Sequence, residues 1–202
     1  MYSIVSKVVG AVPKKIKEDV NFNLNIENLI DQTNEATKVI YIASPNNPTG
    51  TYLSRDQLVK LMNSISKNII VVIDGAYVEY VQKDDYDKGF SLTDEYENII
   101  LTRTFSKTYG LAALRVGWCY TSQKIADIIN KIKPPFNTTT ISQSLAIKAL
   151  EDKEHIENSV KLNSEIKDWF EKELKLLNIK TRQTEGNFTL IETSEEEAEK
   201  IS

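Results

Sequence analysis

Three short apolar runs, each ending abruptly in polar residues, set the frame of this chain. Val39-Ile-Tyr-Ile-Ala43 stops at Ser-Pro-Asn-Asn-Pro-Thr-Gly50, and Ile69-Ile-Val-Val-Ile73 stops at Asp74-Gly-Ala-Tyr77. Asn98-Ile-Ile-Leu-Thr102 runs into Arg-Thr-Phe-Ser-Lys-Thr-Tyr-Gly110. Uninterrupted β-branched runs of this length predict strands buried on both faces of a parallel sheet. Leu114 to Tyr120 predicts a fourth strand, antiparallel or at an edge, and Ala11 to Ile16, with its Pro13, a short edge strand.

Between the runs the apolar positions change to helical spacing. Residues 1–10 predict the end of a helix stopped by Gly10, and Asn25 to Asn34 a short helix carrying Ile26, Leu29 and Ile30. Ser54 has the place of an N-cap with Gln57 at the capping-box position, and Leu58, Leu61, Met62 and Ile65 form the inward face. Val81 to Ser91 is acidic and reads as a surface excursion. Ser122 caps a helix through about Lys131, Lys133-Pro-Pro-Phe-Asn137 breaks it, and Ile141 to Leu150 forms another. Glu154 to Leu177 is long, charged and amphipathic, as a helix bridging two domains is. Ile179 to Arg182 and Phe188 to Glu192 predict strands of a smaller unit, and Ser194 caps a last helix.

Strand and helix alternate through the middle, so the expected fold is α/β: a mostly parallel sheet with helices on both faces. Residues 1–152 form the large domain of this reading. Residues 153–202 form the bridging helix and the start of a small α+β domain. In such sheets ligands bind beyond the carboxyl ends of the strands. Asn47, Asp74 and Lys107 each follow one of three consecutive strands, which makes that edge the candidate site.

Composition narrows the classes. At 202 residues the chain holds one ordinary α/β domain with part of a second, and a net charge of −4 with mixed signs leaves no nucleic-acid footprint. No apolar run approaches a membrane span, and the N-terminus lacks a signal peptide's apolar core, so the default is a soluble cytoplasmic protein. A single cysteine, Cys119, excludes an internal disulfide and reads as a buried structural thiol. The single histidine, His155, lies in a charged helix and reads as solvated, and no set of metal ligands is present. Neither a Gly-x-x-x-x-Gly-Lys nor a Gly-x-Gly-x-x-Gly loop occurs.

Lys107 sits among apolar and hydroxyl residues. Burial there would disfavour the ammonium, and a neutral amine is what Schiff-base chemistry with a carbonyl requires. Asp74, after five β-branched residues, is either a turn aspartate or a carboxylate for a protonated pyridine nitrogen. Tyr77 is either a core aromatic or a hydroxyl for the phenolic oxygen of such a ring. Asn47 is either a turn residue or a second donor to that oxygen. Thr104 and Ser106 beside Lys107, with Arg115 eight residues on, offer a phosphate cup; Arg115 is otherwise a surface ion pair, for which its place between Leu114 and Val116-Gly117-Trp118 is awkward. Thr104-x-x-Lys107 also has the spacing of serine acyl-transfer enzymes, but no Ser-Asp-Asn or Lys-Thr-Gly element accompanies it.

Taken together, Ser44-Pro-Asn-Asn-Pro-Thr-Gly50, Asp74-Gly-Ala-Tyr-Val-Glu-Tyr80, Arg103 to Gly117, Pro135-Phe-Asn137 and Asn187-Phe188 resemble the fold-type I pyridoxal-phosphate aminotransferases. Within them the resemblance is to the histidinol-phosphate aminotransferases, over nearly the whole chain. It implies that Lys107 is the Schiff-base lysine and general base and that Asp74 pairs with the pyridine nitrogen. It places Tyr77 and Asn47 on the phenolic oxygen, and Thr104, Ser106 and Arg115 on the phosphate of pyridoxal 5'-phosphate. It implies a homodimer that moves an amino group between histidinol phosphate and 2-oxoglutarate. Aromatic amino acid transamination, or a decarboxylase or lyase of the same fold, are the alternatives. Family members also carry an upstream Gly-rich phosphate loop with a ring-stacking aromatic, and arginines of the small domain that grip the substrate. Residues 1–202 have no counterpart of these; Arg182 does not match those positions. The sequence therefore reads as the middle of a longer enzyme, or as an inert binding or folding remnant of one.

Overall fold

The structure, a computed structural model, describes residues 2–201. In chain order the helices are α1 (Tyr2–Val8), α2 (Ile26–Asp31), α3 (Arg55–Ser64), α4 (Phe90–Glu95), α5 (Gln123–Ile132), α6 (Thr140–Glu151), α7 (Lys153–Leu176) and α8 (Glu195–Ile201). The strands are β1 (Val39–Ala43), β2 (Ile70–Asp74), β3 (Ile99–Thr104), β4 (Gly117–Thr121), β5 (Lys180–Arg182) and β6 (Leu190–Glu192). The main sheet runs β1-β2-β3-β4; its first two pairings are parallel and the last is antiparallel. Strands β5 and β6 pair antiparallel in a sheet of their own. The α/β reading with a mostly parallel sheet is what the chain adopts.

The parallel part is held by one apolar cluster. Val71, Ile73, Ile99 and Leu101 from the strands meet Leu58, Leu61 and Met62 from α3 and Ile26 and Leu29 from α2, all buried. Each such side chain contributes about 1.5–3 kcal/mol by leaving water. Helix α3 begins where its sequence directs: the Ser54 hydroxyl accepts from the Gln57 N–H, and the Gln57 side chain accepts from the Ser54 N–H. This reciprocal cap satisfies two N–H groups left over at the first turn.

Several expectations change in the folded chain. Strand β1 is buried on one face only: Ile40 and Ile42 point into the cluster with α2 and α3, while Val39 and Tyr41 on the opposite face are exposed. Residues 11–16 form no strand. The excursion after Val81 contains helix α4, whose start at Gly89 (φ +93°) has no side-chain cap and gave no signature in the sequence. Cys119, on β4, is exposed rather than buried. His155 is exposed on α7, as expected, and its Nε2 also lies 3.1 Å from the Thr108 carbonyl. Among the described residues no helix is long and apolar enough to cross a membrane.

Candidate active site

The register of the sheet puts the three strand ends level. Ala43 pairs with Asp74, and Asp74 with Thr102, so the chain leaves β1, β2 and β3 from one edge at almost the same height. Everything polar that follows these strands is delivered to that edge.

The first loop is tightly braced. Its Ser44–Pro45 and Asn47–Pro48 peptides are cis, and Asn46 and Thr51 close it with an N–H···O bond of 2.7 Å. Buried Ser44 accepts the Leu53 N–H on its hydroxyl, and its carbonyl accepts the Tyr86 hydroxyl at 2.9 Å. So held, the loop presents the Asn47 amide, which donates to the Tyr77 hydroxyl at 2.8 Å across thirty positions of sequence.

The second loop carries Asp74, Gly75 and Tyr77. Gly75 is required by close approach: a Cβ there would stand 2.5 Å from Val78 Cγ1 and would overlap the Arg103 guanidinium. Tyr77 is buried, and its ring meets Phe188 edge-on, with centroids 5.2 Å apart. Asp74 uses one carboxylate oxygen: the Tyr2 hydroxyl donates to Oδ2 at 2.5 Å. Its Oδ1 accepts no hydrogen bond among the described residues.

The third loop holds Lys107. Thr104 closes β3 and accepts the Ser106 N–H on its hydroxyl, at 3.1 Å. Bonds from Gly110 N to Lys107 O and from Leu111 N to Phe105 O, both 2.9 Å, fold the loop back on itself. Lys107 Nζ stands 5.2 Å from the centre of the Tyr77 ring. The lysine is exposed rather than desolvated by its neighbours, because Phe105 turns into the core while Ser106 and Lys107 turn out. Its surroundings are therefore the Tyr77 ring and solvent.

Asn47, Tyr77 and Lys107 thus converge, with Asp74 beside them at the end of β2. Arg115 is the residue the structure leaves apart. It sits next to the Thr104–Ser106 turn through the antiparallel pairing, since Phe105 N donates to Val116 O. Yet its backbone is left-handed (φ +50°), its side chain is exposed, and its Nη1 donates to the Ala112 carbonyl at 2.6 Å. No hydrogen bond joins it to Thr104 or Ser106 among the described residues.

Beneath these residues lies a layer that no motif in the sequence announces. Arg103 is buried, donates to the Thr102 carbonyl at 2.8 Å and to the Lys88 carbonyl, and lies 5.8 Å from the ring centres of both Phe90 and Trp118. Burial lowers its basicity, and the neighbouring Tyr86, Glu79 and Asp74 oppose that fall. Burial likewise pushes the Glu79 carboxyl above its ordinary value. Thr108, directly after the lysine, lies within 3.5 Å of Glu79 Oε2. Gly75 was the one readable sign of this layer, since a glycine after a strand-end aspartate marks a close approach.

Residues 1–202 match the family model described as aminotransferase class I and II. The chain belongs to the class I and II aminotransferases. Among curated members of this aminotransferase family, the histidinol-phosphate aminotransferase of Pelagibacter ubique is 43% identical over 95% of the chain. That of Zymomonas mobilis is 40% identical over 95% of it. The chain spans about half the length of these relatives, 53% and 52%. The crystal structure of histidinol-phosphate aminotransferase from Sinorhizobium meliloti, in complex with pyridoxal-5'-phosphate, superposes with a TM-score of 0.86. At 24% identity, over 93% of this chain and 51% of that one, it shows the aminotransferase fold alone.

Proposed function

We propose that this chain carries the cofactor-binding core of a pyridoxal 5'-phosphate-dependent aminotransferase working between histidinol phosphate and 2-oxoglutarate. The observation that carries the reading is the convergence of the Asn47–Tyr77 pair and Lys107 Nζ beside Asp74, at the carboxyl ends of parallel strands. The names of the relatives support the choice of substrates.

The donor set fits the cofactor group by group. Asp74 has a carboxylate oxygen left over for a protonated ring nitrogen. The Asn47 amide and Tyr77 hydroxyl are already side by side, as two donors to one phenolic oxygen have to be. Thr104, Ser106 and Arg115 offer hydroxyls and a guanidinium for a phosphate, once the Arg115 side chain swings from the Ala112 carbonyl. When bound, the cofactor supplies an electron sink for the pair released at the substrate's α-carbon. Lys107 would hold its aldehyde end and carry the transferred proton on Nζ. Asp74 would keep the ring cationic, and the Tyr77 ring would limit the directions open to the lysine.

In the same reading, residues 1–152 form a large domain, and residues 153–202 form the bridging helix and start of a small one. A second copy completes the enzyme. Exposed Ile4, Val5 and Val8 on α1, and Ile141 and Leu145 on α6, are apolar surface that such an assembly would cover.

Borohydride reduction of the protein with pyridoxal 5'-phosphate, followed by peptide mass spectrometry, tests the core claim. The adduct is expected on the peptide holding Lys107 and is lost in Lys107→Ala; an adduct spread over surface lysines in both proteins would remove the assignment. Amino transfer to 2-oxoglutarate is then compared for histidinol phosphate and phenylalanine as donors. Faster transfer from phenylalanine would replace the substrate.

A further inference from the structure

Asp74 has a partner no motif announced. Tyr2, seventy-two positions earlier on α1, donates its hydroxyl to Oδ2 at 2.5 Å. The contact is built from two sides. The Tyr2 ring stacks on Tyr41 of β1, with centroids 5.1 Å apart and planes 12° from parallel. Tyr41 stands two residues before Ala43, the residue that pairs with Asp74. The ring is therefore fixed against the sheet, and its hydroxyl is aimed at the end of the neighbouring strand. Burial, with the adjoining carboxylate, pushes the phenol's pKa up, so it stays a proton donor throughout the working range of pH.

We infer that Tyr2 is the positioning residue of Asp74: by holding Oδ2 it sets the plane of the carboxylate and leaves Oδ1 for the cofactor's ring nitrogen. The inference rests on the proposed pairing of Asp74 with that nitrogen. A carboxylate at a strand end turns freely about its last bond, and turning it away would lose the pairing. One donor on one oxygen stops the rotation. It also satisfies that oxygen with a neutral group, so the negative charge stays available to a cationic ring. The consequence is selectivity: the Tyr2 hydroxyl contributes to binding only when the ring has a nitrogen to protonate.

The test uses two ligands on the full chain, pyridoxal 5'-phosphate and its carbocyclic analogue, in which a C–H replaces the ring nitrogen. Dissociation constants are measured by absorbance titration for the wild type, Tyr2→Phe and Asp74→Ala. The wild type is expected to prefer the nitrogen-bearing ligand. Tyr2→Phe keeps the stacked ring and is expected to lose about tenfold in affinity for that ligand, the worth of one hydrogen bond to a charged group. Its affinity for the analogue stays within about twofold, since no charged pair is formed there. The ratio of the two constants within one variant is insensitive to how much of the sample is folded. An unchanged ratio in Tyr2→Phe, whether both affinities fall or neither does, overturns the inference. A wild-type ratio in Asp74→Ala instead overturns the underlying pairing, whatever Tyr2→Phe does.

Discussion

Arg103 and Gly75 interlock: the guanidinium of one occupies the volume that a side chain on the other would need. Arg103 cannot yield easily, because it is buried and donates to the carbonyls of Thr102 and Lys88. Gly75→Ala is therefore expected to destabilise the protein by about 1–3 kcal/mol, the usual range for forcing atoms into a filled site. Urea denaturation measures it. A change within about 0.5 kcal/mol, typical of an uncrowded position, would mean the arginine moves aside at no cost.

A second glycine joins the first loop to the C-terminal segment. Gly50 has φ +71°, and a Cβ on it would overlap the backbone and Cβ of buried Thr184 and stand 2.7 Å from its Cγ2. The Gly50 carbonyl accepts the Glu185 N–H at 2.8 Å, while Lys167 of α7 donates to the Thr184 carbonyl. Gly50→Ala meets both the left-handed backbone and the clash, and should cost about 3 kcal/mol. Limited proteolysis should then cut preferentially between 177 and 194. Unchanged protection there would show that the junction is not what holds the segment.

The half-buried Glu79 gives stability a pH dependence whose sign follows from the direction of its pKa shift. Burial raises its folded-state pKa above the ordinary 4.5, so the folded protein keeps the proton to higher pH than the unfolded chain does. Below the unfolded value both states are protonated and the group costs nothing. As pH rises from there through the folded value, the unfolded state is favoured by its earlier ionisation, and the cost becomes complete above it. Glu79→Gln should therefore gain stability relative to wild type as pH rises through that window. Denaturation midpoints of both proteins, taken from pH 4 to pH 7, decide this; parallel curves would contradict it.

Tyr77→Phe and Asn47→Ala each remove one of the two donors proposed for the phenolic oxygen. Losing a hydrogen bond to the phenolate form of that oxygen costs about 1.5 kcal/mol, equivalent to about one pH unit. The pH midpoint of the bound cofactor's visible band should rise by about that much in either variant. The double variant should move further. An unmoved midpoint would place the two donors on something else.

What the sequence made legible follows a physical divide. The strand runs were readable because β-branched residues in unbroken series have few other uses, and the start of α3 because Ser54 and Gln57 satisfy each other locally. Helix α4 was not, since six residues entered through a left-handed glycine leave neither period nor cap. The covered and uncovered faces of an outer strand could not be told apart from composition alone: Tyr41 and Cys119 looked like core, yet Tyr41 lies on the face of β1 opposite buried Ile40 and Ile42, and Cys119 is exposed as well. In the candidate site, Asn47, Asp74 and Lys107 stood out because each follows a strand. Arg103, Glu79 and Tyr2 did not, because a buried charge or a long-range donor is explained only by partners distant in sequence. Tyr2 and Asp74 are the extreme case.

Tyr77 is gripped on three sides, by Asn47 at its hydroxyl, Lys107 over its face and Phe188 at its edge. An aromatic ring can turn over only when its walls part, and here one wall belongs to the segment leading into β6. The flipping rate of this single ring, seen in its NMR line shape, is thus a clock for the breathing of the C-terminal segment. A substitution in the C-terminal segment that slows this flip would report a tighter wall around Tyr77, with no change to any residue proposed to touch the cofactor.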